Sequence, residues 1–197
     1  MPRPRKIDVE TALEAALGVF WRKGYGGTSY ADLVAATGVE RPALYAAFGN
    51  KESLFLRALG RYGETYGSYV WEALSEPTAR QVAECVLEGA AHLTTRFEDH
   101  PGCLGINGGL TGSDDSEPVQ RALVEWRAEG ERALRERFER ARADGDLAAD
   151  ADPHVLAAYI LAVAHGMAVQ AKAGFTRERL LAVARQAMAT WPGTTEF

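Results

Sequence analysis

The sequence predicts an all-α fold of about nine helices in two parts, a three-helix unit over residues 1–57 and a larger helical unit over residues 58–197. Three observations carry this. Apolar residues recur at helical spacing in segment after segment, from Ala12 to Met188. Capping residues, glycines and prolines punctuate those segments at both ends. At 197 residues the chain is long enough for a small domain and a larger one with a sizeable core.

The first stripe, over residues 8–23, holds Ala12, Leu13, Ala16, Leu17, Phe20 and Trp21, with Asp8 as its cap and Gly24 as its stop. After a loop at 24–27, Thr28 or Ser29 caps a second helix. Asp32, three residues after Ser29, suits a capping box, and Gly38 follows the last helical residue, Thr37. A turn at 37–40 leads to a third helix, Arg41–Phe48, with Pro42 in its first turn, where a missing N–H costs nothing. So short a helix is not stable alone. Leu44 and Phe48, four apart, are therefore expected to pack inward, leaving Arg41, Ala43, Tyr45 and Ala47 on the outer side. Two helices joined by a short glycine-containing turn are a helix-turn-helix, whose second helix enters the major groove of DNA. On this reading Arg41, Pro42 and Tyr45 face DNA, with Thr28 and Tyr30 at the preceding helix start. Asn50 caps a fourth helix and places Lys51 at its N-terminus, where free N–H groups and the dipole suit a phosphate.

Residues 51–74 read as one long helix, with Leu54, Phe55, Ala58, Leu59, Tyr62, Tyr66, Tyr69 and Val70 on a continuous face. It begins in the first unit and ends in the second. A helix from about Thr78 to His100 follows, stopped by Pro101; residues 101–116 hold five glycines and predict a short helix and a loop. Ser116, Glu117 and Pro118 open a helix to Ala143 that turns Val119, Leu123, Trp126, Leu134 and Phe138 inward, and the run Asp144-Gly145-Asp146 breaks it. Asp152 and Pro153 start a helix to Ala173, almost wholly apolar from Val155 to Val169. Gly174 ends it, and Thr176 caps a last helix that runs towards Trp191 and Pro192.

In the succession GYGGTS, DLVAATGV and RPALYAAFGNKESLF, residues 3–57 resemble the DNA-binding domain of the tetracycline-repressor (TetR) family. Glu40 departs from that pattern where a Ser or Thr cap is common, and Ala43 where a small hydroxylated residue is common. The resemblance implies a transcriptional regulator, a repressor released from a double-stranded DNA operator by a small-molecule effector. It also implies a homodimer whose second domain, 58–197, binds the effector and dimerises. No cofactor is expected.

Composition agrees with these expectations. The net charge of −5 argues against nucleic acid until it is divided: residues 1–57 carry eight Lys and Arg against six Asp and Glu, the remainder fourteen against twenty-one. The positive balance sits in the helix-turn-helix part, and Arg3, Arg5 and Lys6 form an arm able to reach a minor groove or the backbone. Two cysteines, Cys85 and Cys103, are too few for a disulfide framework, and the basic start leads into a capped polar helix rather than an apolar run. Both point to the cytoplasm. The longest unbroken apolar stretch, from Val155 to Ala164, is half a membrane span, so a buried helix is expected and no membrane partner.

The last two helices are apolar on more than one face, which one bundle core cannot absorb. A second copy of the chain can, through a four-helix contact about a two-fold axis with Leu161 at the interface. For an apolar or aromatic effector, the candidate contacts are Tyr62, Tyr66, Trp71, His92, Phe97, Cys103, Asn107, Trp126, Tyr159 and His165, rings mixed with a few polar groups. The competing reading of each is core packing.

Cys85, Glu88 and His92 share one helix face and are zinc-ligand types, but a fourth ligand is missing and no metal site is assigned. Cys103, in the run Pro101-Gly102-Cys103-Leu104, follows a helix end and resembles a PGCL element of one subgroup of the family. Near a helix N-terminus its thiolate gains stability, which makes a redox or electrophile sensor the alternative to a buried small hydrophobe. No nucleophile elbow, zinc-protease motif or phosphate-cradling loop occurs, so an enzyme is not expected. A helical ligand-binding module without DNA binding is the remaining rival.

Overall fold

The computed structural model describes residues 8–110 and 116–192, and among these every regular element is a helix. In chain order they are α1 (Val9–Gly27), α2 (Tyr30–Thr37), α3 (Arg41–Phe48), α4 (Lys51–Thr65), α5 (Tyr69–Ala73), α6 (Ala79–Thr94), α7 (Leu104–Leu110), α8 (Glu117–Ala143), α9 (Pro153–Lys172) and α10 (Arg177–Met188).

The helix starts follow from single side chains. Asp8, Asn50, Ser116, Asp152 and Thr176 each accept a backbone N–H of the first turn. Ser29 with Asp32, and Thr78 with Gln81, close full capping boxes. Gly38 ends α2 in the left-handed region, with φ 66° and ψ 14°, as a turn into α3 requires. Glu40 gives α3 no side-chain cap, so α3 relies on Pro42 and on its buried residues, Leu44 and Phe48.

Three boundaries differ from expectation. The helical stretch of α1 is kinked at Gly24, whose φ of 71° breaks the regular ladder, and one further turn carries it to Gly27. The long helix expected over 51–74 breaks after Thr65. There the N–H groups of both Tyr66 and Gly67 converge on the Tyr62 carbonyl, and a separate short helix, α5, starts at Tyr69. Gly63 and Gly67 weaken the helix locally. They also make room for the Trp126 indole, since a Cβ on Gly63 would lie 3.2 Å from its Nε1 and one on Gly67 would lie 3.4 Å from its Cζ2. The third difference is α6, which stops at Thr94 and not near His100. The Thr94 and Thr95 hydroxyls bond back to Ala90 and Ala91 carbonyls, and the Gly102 N–H takes the Thr94 carbonyl at 2.7 Å.

Two buried clusters organise these helices, and the first of them crosses the boundary expected at residue 57. One joins α1, α2 and α3 to α4, α7 and α8 through Trp21, Phe55, Tyr62, Leu104 and Leu123; the other joins α5, α6, α8, α9 and α10. By length and composition α9 suffices to cross a membrane, yet it packs against α6, α8 and α10. Only 39% of its most apolar window is buried, because Val155, Ala158, Tyr159, Ala162, Gly166 and Val169 form an exposed stripe along it.

Candidate functional site

Burial of Leu44 and Phe48 rolls α3 so that Arg41, Pro42, Tyr45 and Ala46 are exposed, while Ala43 and Ala47 are half-buried. The outer edge therefore includes Ala46 rather than the expected Ala43 and Ala47. Tyr30 of α2 stacks on Tyr45 with ring centroids 5.2 Å apart, and the Arg41 guanidinium lies 4.1 Å above the Tyr30 ring while donating to the Tyr45 hydroxyl at 3.2 Å. This hydrogen bond holds the Tyr45 phenol below its ordinary range, whereas burial raises that of Tyr30. Arg41, Tyr30 and Tyr45 thus form one pre-ordered cationic and aromatic edge, bridging both helices of the helix-turn-helix.

Two residues predicted to touch DNA turn inward instead. Thr28 is buried and its hydroxyl donates to the Gly24 carbonyl at 2.7 Å, so its side chain stabilises the kinked turn. Lys51 extends beneath the same turn, where its Nζ donates to the Tyr25 and Thr28 carbonyls, each at 3.1 Å, and sits 4.2 Å from the Tyr25 ring centroid. Its backbone N–H donates to the Tyr30 hydroxyl. The cation was expected at a phosphate; an inward carbonyl pair outcompetes solvent for it because α4 begins directly under the 24–28 turn. Arg3, Arg5 and Lys6 lie outside the described residues.

A cavity of about 730 Å³ opens among α4, α5, α6, α7, α8 and α9, of a size suited to a small organic molecule. Of the predicted contacts, Trp71, Cys103, Trp126 and His165 line it. Tyr62 and Asn107 are buried next to Cys103 without lining the space: the Tyr62 hydroxyl donates to Cys103 Sγ at 3.0 Å, and the Asn107 N–H donates to the Cys103 carbonyl at 2.8 Å. Four others are elsewhere. Phe97 stacks on His100 and meets Trp21 edge-on. Tyr66 bonds Glu14 of α1 at 2.5 Å and, with His92, borders a separate surface recess of about 340 Å³. Tyr159 stands on the exposed stripe of α9 and faces away from the cavity. Helical spacing placed these rings off solvent or on a stripe; it does not say which neighbour each one meets.

Beside its apolar side chains the cavity is lined by the hydroxyls of Ser68, Tyr69 and Thr94, the Cys103 thiol, Arg127, His165 and three glutamates. His165 is held down to about 4 by burial and by Arg127, so it is a neutral imidazole at pH 7. Burial pushes the Cys103 thiol up, outweighing its bonds from Tyr62 and from backbone N–H groups. A thiolate stabilised by a helix N-terminus is thus not what this environment supplies. Among the described residues no cluster of three or more His, Cys, Asp or Glu side chains has metal-binding geometry.

Sequence reasoning missed Arg127. It sits four residues after Leu123 and eight after Val119, on the buried stripe of α8, and that position was its only signal. Its Nη1 donates to the Gly105 carbonyl at 2.8 Å, which fixes the guanidinium at the cavity wall. Also missed was the glycine slot: a Cβ on Gly105 would come within 2.3 Å of the Trp126 ring, so Gly63, Gly67 and Gly105 together seat the indole. Their helical spacing was visible, but not the ring that fills it.

Similarity to known proteins converges on one family. Residues 12–58 match the model of bacterial regulatory proteins of the tetR family, and residues 82–188 match that of the tetracyclin repressor-like C-terminal domain. The chain is 33% identical over 192 residues to the HTH-type transcriptional repressor ComR of Escherichia coli (strain K12), covering 96% of this chain and 91% of that one. It is 34% identical over 122 residues to the repressor BdcR of the same organism, over 62% of this chain and 60% of that one. A solved structure of the TetR family transcriptional regulator CifR, a cysteine mutant complexed with 26-bp double-stranded operator DNA, superposes with a TM-score of 0.90 at 44% identity. That match covers 97% of this chain and 100% of the other.

Proposed function

The chain belongs to the tetR family of bacterial regulatory proteins, DNA-binding regulators of transcription, and from that premise we propose that it is a cytoplasmic homodimeric repressor released from its operator by a small molecule. The observation that carries this reading is the double role of α4. Its first turn is tied to the DNA-facing edge by the Lys51 N–H to Tyr30 bond, and its Leu56, Leu59, Gly60 and Gly63 line the cavity. A ligand that prefers one tilt of α4 changes the separation of the two recognition helices across a dimer, whereas one that fits both tilts equally shifts nothing. The DNA surface in this proposal is Arg41, Pro42, Tyr30 and Tyr45, with the arm Arg3, Arg5 and Lys6 adding backbone attraction. The effector contacts are Trp71, Cys103, Trp126 and His165, together with Arg127.

A gel shift on the DNA upstream of the gene, across a salt series, tests the first half. Absence of any salt-dependent, sequence-selective shift overturns it in favour of a ligand-binding module without DNA binding. Within that assay Arg41→Ala is expected to weaken the operator complex by about 1 to 3 kcal/mol and relax one base position. Lys51→Ala is expected to leave the salt slope unchanged and lower stability instead, since its ammonium is bound to carbonyls. A slope reduced by about one unit would return Lys51 to a phosphate.

Cys103→Ser separates the pocket from the thiol as the trigger. With Cys103 buried and its thiol raised in pKa, the variant is expected to bind DNA and to retain most of its response to ligand. Complete loss of induction in a folded, DNA-competent Cys103→Ser protein would make the thiol the sensor.

A further inference from the structure

We propose that the cavity selects an apolar molecule bearing a carboxylate, whose anionic end lies against Arg127 and His165; this rests on the cavity being the effector site. The lining is largely hydrocarbon and indole, from residues such as Leu56, Leu59, Leu161 and Trp126, and Arg127 is the cationic side chain on it. Arg127 is half-buried and spends one N–H on the Gly105 carbonyl, and among the described residues it has no carboxylate partner. A guanidinium held in this way keeps N–H groups for a second, planar acceptor. His165, on α9, which packs directly against α8, is within electrostatic reach of Arg127 and stays neutral there. A neutral imidazole offers one more N–H and adds no repulsion between like charges.

The opposing charges are Glu64, Glu125 and Glu129, the carboxylates on the lining. All three are exposed at the rim, and Glu125 already accepts from Arg132 at 2.8 Å. Rim charges in water are screened, while the same charge at a partly buried wall acts several-fold more strongly. The cation at the wall therefore outweighs the anions at the mouth. A cationic ligand would gain at the mouth and lose at Arg127. An alcohol would keep the apolar contacts but forgo the charge-assisted pair.

Calorimetric titration of the full-length protein with naphthylacetate, naphthylethanol and naphthylethylamine reads this order directly. The acid is expected to bind about tenfold or more tightly than the alcohol, and the amine most weakly. In Arg127→Met the acid should fall to the level of the alcohol, while Arg127→Lys should keep part of the preference. Binding of the alcohol, which uses the hydrocarbon lining, reports whether each variant's cavity is intact. Equal or tighter binding of alcohol or amine to the wild-type protein overturns the inference and leaves the effector cavity standing, as does an acid preference that survives in Arg127→Met. Failure of all three to bind overturns both.

Discussion

Ala162→Glu is expected to give a folded protomer that no longer pairs and no longer holds operator DNA. Ala162 lies at the middle of the exposed stripe Val155, Ala158, Tyr159, Ala162, Gly166 and Val169, where Val155 is 62% and Val169 42% exposed. Within one protomer a carboxylate at this position stays in water and costs almost nothing. Across a two-fold axis each added carboxylate would be desolvated beside its own copy, at several kcal/mol per ion, so dimerisation should weaken by about a thousandfold or more. Loss of the second recognition helix then removes one half-site's worth of contacts. Sedimentation velocity at micromolar protein checks the first step, and the gel shift the second. A stable Ala162→Glu dimer would put the interface elsewhere. Leu161, expected from its sequence position to be an interface residue, is the informative contrast: it is 8% exposed inside the protomer and lines the cavity. Leu161→Glu should therefore damage folding or ligand binding first, because its carboxylate is buried whether or not the chain dimerises.

The second large effect is expected at Trp21. This α1 side chain is 1% exposed and meets Tyr62, Tyr66, Phe97 and His100 edge-on at ring-centroid distances of 4.7, 5.2, 5.6 and 5.1 Å. Its indole N–H donates to the Gly102 carbonyl at 2.9 Å, tying α1 to the segment that leads into α7. Trp21→Ala should cost about 3 to 5 kcal/mol by truncation alone, a large share of the total stability of an ordinary domain. Trp21→Phe, which keeps an aromatic ring and loses the donor, should cost about 1 to 2 kcal/mol. Urea unfolding of the two variants beside wild type gives both numbers. A Trp21→Ala penalty below about 1 kcal/mol would mean that the first three helices are not anchored through this ring.

The caps, the turns and the helix-turn-helix were legible in the sequence because each depends on residues within about four positions. Ser29 and Asp32, Gly38, Pro42 and Asn50 act on backbone groups that their own helix exposes, whatever packs around them. The inward pair Leu44 and Phe48 and the apolar stripe of α1 were legible for the same reason, since helical period alone sorts one face from the other. Period carries no information about partners. Tyr66, Trp126 and Tyr159 all sit at plausible positions on apolar faces, yet one bonds Glu14, one fills a glycine slot at the cavity and one points to solvent. The break of the long helix after Thr65, the inward ammonium of Lys51 and the placement of Arg127 at the cavity wall likewise depend on residues 22 or more positions away, and on what is left exposed once those contacts form. Local sequence thus determined which helices form and where they start. Long-range packing decided which side chains face the cavity, because burial against distant elements competes with local preference and has many partners to choose from.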